Sequence, residues 1–273
     1  CANCIKRDTY KPIKKDMNQL TVLKIGGNII DVPYLLEKFI ADFVKIEGPK
    51  ILIHGGGKLA TEMSAKMGIE AKMHEGRRIT DYETLKLVTM VYAGLINKEI
   101  VAGFQKDGCN AIGLSGADAN IIPATKRAPY PIDFGYVGDV NPLKINDRFL
   151  FSLLSMGITP VICAITHDEN GALLNTNADT IASSIAIAMS KHYTTKLVYC
   201  FEKNGVLSDP DNDESVISLI TYDHFQKLKA DGIISKGMIP KLDNAFNAIK
   251  NGVSEVEIKH ASNLNIQLGT LLK

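Results

Sequence analysis

Lys24 is the residue whose position first suggests chemistry. It stands one place before the end of the apolar run Thr21-Val22-Leu23-Lys24-Ile25, which passes directly into Gly26-Gly27-Asn28. An ammonium buried there without a partner is costly, so it is expected to emerge at the glycine-lined strand end beside an anion. A second apolar run, Ile51-Leu52-Ile53, enters His54-Gly55-Gly56-Gly57 just before a helix expected from about Lys58. Both turns follow strands, at the edge where open α/β sheets bind ligands and succeeding helices aim their free N–H groups. Glycine lets backbone amides come close to phosphate or carboxylate oxygens, so the two turns can form two walls of one anion site. Each feature also has a plainer reading: a Gly-Gly pair can be only a tight turn, and a lysine can snorkel from an edge strand. Neither turn fits G-x-x-x-x-G-K-[ST] or G-x-G-x-x-G, so Walker-type ATPases and Rossmann dehydrogenases are disfavoured.

The elements that must position these groups are written as an alternation of short β-branched runs and longer amphipathic ones. That is the pattern of a mainly parallel, open central sheet covered on both faces, a three-layer αβα sandwich. Strands are expected at 20–25, 50–53, 111–114, 159–163, 196–200 and 255–259. The longest helix is expected to start at Thr80, where Thr80-Asp81-Tyr82-Glu83 fits a capping box, and to end near Gly108. Its stripe of Leu85, Val88, Val91, Tyr92, Leu95 and Ile96 suits a core or an interface. The Pro-, Gly- and aromatic-rich stretch 123–141 is expected to leave the sheet as a hairpin.

Composition narrows the class of partner. Thirty-one Lys and Arg against 30 Asp and Glu give a net charge of +1 over 273 residues, so no global field recommends nucleic acid or an anionic membrane. No uninterrupted apolar run reaches a membrane-spanning length and no leader is visible, so a cytoplasmic location is expected. Of five cysteines only Cys1 and Cys4 are close, and no second pair or His pair accompanies them, which argues against a metal site or a disulfide framework. Residues 1–16, basic and aperiodic, read as an appended or disordered tail, with Met17 the expected start.

Five segments together resemble the N-acetylglutamate kinases of the amino acid kinase superfamily. They are Leu23-Lys24-Ile25-Gly26-Gly27, His54-Gly55-Gly56-Gly57, Gly76-Arg77-Arg78-Ile79-Thr80, Asn175-Thr176-Asn177-Ala178-Asp179 and Gly237-Met238-Ile239-Pro240-Lys241. They occur in family order, and the resemblance runs from Leu20 to the C-terminus. It implies ATP-dependent phosphorylation of the side-chain carboxylate of an N-acylated glutamate, N-acetylglutamate first and N-succinylglutamate as the alternative, in arginine biosynthesis.

By motif match, Lys24 and Lys241 would hold the transferring phosphoryl group and the leaving β-phosphate, with Asp179 organising the pair. Arg78 would clamp the substrate's other carboxylate with its planar fork, and Asn175 would bind near the amide. Gly56 and Gly57 would offer amides to the reacting carboxylate, and Gly26 and Gly27 would serve the phosphates. The resemblance implies an acylglutamate-binding lobe over 17–190 and a nucleotide-binding lobe over 191–273. There Glu202, Gly205, Val206, Leu207, Ile233, Ile234 and Ser235 match positions that embrace adenosine. Phe201-Glu202 departs from the Thr/Ser-Asp common in the family, so the ribose and adenine contacts are left open. ATP implies Mg2+, held by phosphate oxygens and water, with no protein ligand nominated. The resemblance further implies an arginine-insensitive homodimer with the helix after Thr80 at its two-fold axis. A rival of another class is a non-catalytic sensor, like the kinase-fold module of acetylglutamate synthases, which has no need of both lysines.

Overall fold

The computed structural model describes residues 19–74, 76–234 and 238–273. The tail 1–16, Met17, Cys1, Cys4 and Ser235 lie outside the described residues. Eight strands form the main sheet: β1 Gln19–Ile25, β2 Lys50–His54, β3 Ala111–Leu114, β4 Thr159–Cys163, β5 Thr194–Phe201, β6 Leu219–Ile220, β7 Glu255–His260 and β8 Thr270–Leu272. Their spatial order is β6-β8-β7-β5-β1-β2-β4-β3, and all neighbours are parallel except β7 and β8. All six expected strands are present. Their cores are fully buried runs such as Lys50–His54 and Thr159–Cys163, as a sheet covered on both faces requires. Strands preceding residue 191 lie from β1 to one edge, and those following it fill the other side, so β1 stands where the chain order reverses.

The covering helices are α1 Gly27–Ile30, α2 Pro33–Val44, α3 Gly57–Lys66, α4 Tyr82–Lys106, α5 Asp147–Ser155, α6 Ala178–Met189, α7 Tyr222–Ala230 and α8 Ile239–Lys250. α6 is apolar nearly all round and packs on β1, β2 and β5 beside α8, which also reaches β7; its Ala and Ser side chains permit that close approach. α2 and α3 pack against α4.

α4 departs from the sequence reading in three ways. Its cap is Asp81, whose carboxylate accepts the Thr84 N–H at 2.8 Å, because the Thr80 hydroxyl is engaged elsewhere. The helix is π-helical over Met90–Ile96. Leu95, expected on the apolar stripe, is 44% exposed, since the widened turns shift the facing of that stretch. α4 is long and apolar enough by composition to cross a membrane, but Lys98 and Glu99 interrupt it, and its inner face packs on the sheet and carries the buried Asn97.

The excursion after Pro123 is a hairpin, Ala124–Lys126 against Gly138–Val140. Thr80 N donates to Phe134 O at 2.9 Å and Tyr136 N to Thr80 O at 2.7 Å, while Asn175 N donates to Tyr136 O at 2.9 Å. One loop thereby ties the Arg78 segment to the hairpin Ile165–His167/Leu173–Asn175.

Candidate active site

β1 and β5 run in register with Lys24 beside Tyr199, so Lys24, Tyr199 and, two residues further on, Phe201 face the same way. α6 covers that face and starts there. Asn177 caps it, its carbonyl oxygen accepting the N–H groups of Asp179 at 2.7 Å and Thr180 at 3.2 Å. Asp179 therefore sits in the first helical turn, where the helix dipole favours its negative charge. Lys24 Nζ lies 2.8 Å from Asp179 Oδ1, with both side chains largely buried. That oxygen has no hydrogen bond of good geometry, so the contact is an ion pair with acceptor capacity in reserve.

Lys241 reaches the same place from the first turn of α8. Its Nζ lies 3.7 Å from the centroid of the Phe201 ring, and Lys24 Nζ lies 5.2 Å from that centroid. Burial lowers the Lys241 pKa and the Lys24 charge lowers it further, against the opposing pull of Asp179 and Glu202. The two ammonium groups thus converge. The Asn28 amide donates to Glu202 Oε1, joining the Gly26-Gly27-Asn28 turn to the end of β5.

The second wall is the turn after β2. Gly56 has φ 150°, and a Cβ on it would overlap Ile96 Cδ1 and approach a Tyr92 ring carbon to 3.0 Å, so α4 is pressed against bare backbone. Below it the buried His54 ring bonds its own turn at Gly55 O, 2.9 Å, and accepts the Asn97 amide at Nε2, 3.0 Å. Asn97 also donates to Val161 O at 3.0 Å, which fixes its amide as the donor. Burial holds His54 down at about 4.

Arg78 crosses to this wall, donating from Nη2 to Gly57 O at 2.9 Å and to Thr61 Oγ1 at 2.7 Å. Arg78 is only 8% exposed, yet its Nη1 has no partner, which leaves half of a guanidinium fork able to take a carboxylate oxygen. Tyr92 stands beside it, its phenol pKa raised by burial and eased by the guanidinium. Asn175 Nδ2 donates to Thr80 Oγ1 at 3.0 Å, which fixes the amide's orientation. Two converging ammonium groups and a half-free guanidinium fork could together hold a small acidic molecule and a polyphosphate.

Residues 19–260 match the amino acid kinase family. The chain belongs to that family. Among relatives of this amino acid kinase, the acetylglutamate kinase of Cytophaga hutchinsonii is 57% identical over 249 residues, covering 91% of this chain and 94% of its own. That of Phocaeicola vulgatus is 54% identical over 255 residues, covering 93% and 98%, and that of Methanopyrus kandleri is 36% identical over 258, covering 93% and 100%. Among solved structures, smu.665 from Streptococcus mutans UA159 superposes with a TM-score of 0.75 at 25% identity, over 94% of this chain and 99% of its own. An N-acetylglutamate synthase from Neisseria gonorrhoeae, complexed with coenzyme A and N-acetyl-glutamate, gives 0.79 at 20% identity over 94% and 59%, a likeness of fold.

The expected nucleotide residues of this kinase are spread more widely. Val206 and Ile234 are buried in the core, so only their backbone could face a ligand. Val206 N is already bonded to Thr270 Oγ1 at 2.8 Å, and Leu207 forms a bridge with Val216. Gly205 packs against Thr270 and Val216, Ile233 N bonds Leu228 O at 3.0 Å, and among the described members of this set Glu202 is the one tied to the Gly26-Gly27-Asn28 turn. Sequence reasoning missed Asn28, Thr61, Tyr92 and Asn97. The only signal for the first was its adjacency to the glycine pair, and the others lie at helical positions that look like ordinary surface or core.

Proposed function

We propose that this amino acid kinase transfers the γ-phosphoryl group of ATP to the side-chain carboxylate of N-acetyl-L-glutamate in arginine biosynthesis. The observation that carries the reading is the meeting of Lys24, from β1, and Lys241, from the first turn of α8, about one carboxylate, Asp179. The acetylglutamate kinases named above support the choice of acceptor.

The acceptor carboxylate is ionised at neutral pH, so no general base is needed. One carboxylate oxygen attacks the γ-phosphorus, the new C–O–P linkage forms as the bond to the β-phosphate oxygen breaks, and ADP leaves with the electron pair. Charge builds on the migrating group and on the leaving oxygen. Lys24 and Lys241 stabilise both, which is the main catalytic task in phosphoryl transfer. Asp179 keeps the ammonium groups charged and aimed. Backbone amides of Gly56 and Gly57 would hold the attacking carboxylate, Gly26 and Gly27 would face the phosphates, and Arg78 Nη1 with Asn175 would fix the rest of the substrate. Mg2+ would arrive with the triphosphate and offset its charge. Among the described residues no group of three or more His, Cys, Asp or Glu gathers to hold a metal, so its ligands are assigned to phosphate oxygens and water.

The lobe following residue 191 is proposed to take the nucleotide, the lobe before it the acceptor, and the setting is cytoplasmic. The exposed Met90 and Leu95 on α4 suit a homodimer contact; sedimentation showing a hexamer that responds to arginine would remove that part. Steady-state kinetics with N-acetyl-, N-succinyl- and free glutamate test the function. The expected order puts N-acetylglutamate first, and preference for free glutamate overturns the assignment.

A further inference from the structure

We propose that the Phe201 ring is a positioning residue for phosphoryl transfer, a neutral aromatic surface that gathers the ammonium groups of Lys24 and Lys241 when no phosphate is between them. The inference rests on the proposed function for the roles of the two lysines, but its geometry stands by itself.

Two like charges held in a partly dry site repel, and each loses hydration. Lys24 takes the nearest oxygen of Asp179, 2.8 Å away. Lys241 is turned instead over Phe201, at 3.7 Å from the ring centre, with Lys24 on the same ring at 5.2 Å. Both distances lie within the roughly 6 Å over which a ring face attracts a cation. The other charged groups facing Lys241 are Asp179 on α6, Lys24 on β1 and Glu202 after β5. Glu202 is partly committed to Asn28. One close carboxylate therefore serves two cations, and the negative face of the ring supplies the missing attraction. The ring cannot drift: it stacks on Tyr199, centroids 6.0 Å apart and planes 15° apart, and its backbone is held in β5 beside His260. Tyr199 in turn donates its hydroxyl to the backbone Asp179 O at 3.2 Å, so the ring and the start of α6 are anchored from one strand. A weak, non-ionic attraction suits this task, because an incoming phosphate outcompetes it, whereas a second carboxylate would hold the lysines back and repel the nucleotide.

The test replaces Phe201 by phenylalanines carrying one, two and three ring fluorines, which weaken the ring's negative face while keeping its shape, and by Leu and Tyr. Two quantities are read on the full-length protein: kcat against pH, and the titration of the Lys241 ammonium by NMR of labelled lysines, assigned with Lys241→Arg. Expected is a graded fall of both kcat and the Lys241 pKa with fluorination. Phe201→Leu should lower kcat about 2- to 30-fold with the alkaline limb moved to lower pH, and Phe201→Tyr should restore most of the loss. KM for N-acetylglutamate should stay within about twofold, because the acceptor end is untouched. A flat series in both readouts, or a Tyr variant as impaired as Leu, overturns the proposal. Should the unaltered protein fail to phosphorylate N-acetylglutamate, the proposed function falls, and the lysine titration still decides the role of the ring.

Discussion

Lys24 Nζ stands 2.8 Å from Asp179 Oδ1, an ion pair that joins the first strand of the sheet to the first turn of α6. Because Lys241 is drawn towards the same carboxylate, three elements distant in sequence share one charge balance. Lys24→Met and Lys241→Met should each lower kcat by about 10²- to 10³-fold while changing KM for either substrate only a few-fold. Asp179→Asn should also lower kcat, since it removes the carboxylate the two ammonium groups share. Steady-state kinetics under saturating ATP separate these effects, and a change confined to KM would contradict the assignment of the lysines to the transition state.

Arg78 presents a different signature. Arg78→Lys keeps the charge but cannot hold Gly57 O and Thr61 Oγ1 while offering a second planar donor. The expected cost is about 1.5 to 3 kcal/mol of acceptor binding, about 10- to 150-fold in KM for N-acetylglutamate, with KM for ATP nearly constant.

Gly56→Ala tests the wall after β2. The positive φ and the contacts with Ile96 and Tyr92 should make the change cost about 1 to 3 kcal/mol in stability and displace the amides offered to the acceptor. Gly68→Ala is the control, since its φ of 69° is also positive but a Cβ there meets nothing within 4 Å. Chemical denaturation of the two variants should show the larger loss at Gly56, and equal losses would mean that backbone conformation alone matters.

Stability should carry the imprint of His54. Its folded pKa, about 4, lies below the ordinary value of 6.5, so between those values the unfolded chain binds a proton that the folded one does not. The contribution is therefore fully present above about pH 6.5 and is lost as the pH falls towards 4, amounting to roughly 3 kcal/mol across the window. Denaturation at pH 7 and pH 4.5 should show this loss in the unaltered protein and a smaller one in His54→Gln.

The sheet was readable in the sequence wherever a strand is buried on both faces and closed by glycine, as at Ile51-Leu52-Ile53. β6 and β8 were not readable, because two or three residues carry no periodicity and pair only once the sheet exists. Thr80 looked like a helix cap, but its hydroxyl takes the Asn175 amide, a partner that only tertiary folding supplies. Lys24 drew attention through its own placement, whereas Lys241 and Asp179 were named through resemblance, since nothing local marks a lysine behind Pro240 or an aspartate at a helix start. Phe201 registered only as a departure from pattern; its nearness to both lysines needed coordinates.

The wide turns of Met90–Ile96 let α4 hold one residue more than an ordinary helix would over the same sweep. Removing one residue there would restore the ordinary pitch, and the tightened turns would make up the lost rotation, so the helix beyond would keep its facing. Removing one from the regular turns of Tyr82–Thr89 has no such slack: it would swing everything after it by about 100° and turn Asn97 from His54 and Ile96 from Gly56, although no side chain at either contact had been altered. A single-codon deletion scan along α4 would reveal this as a short stretch tolerant of shortening by one, inside a helix that elsewhere is not.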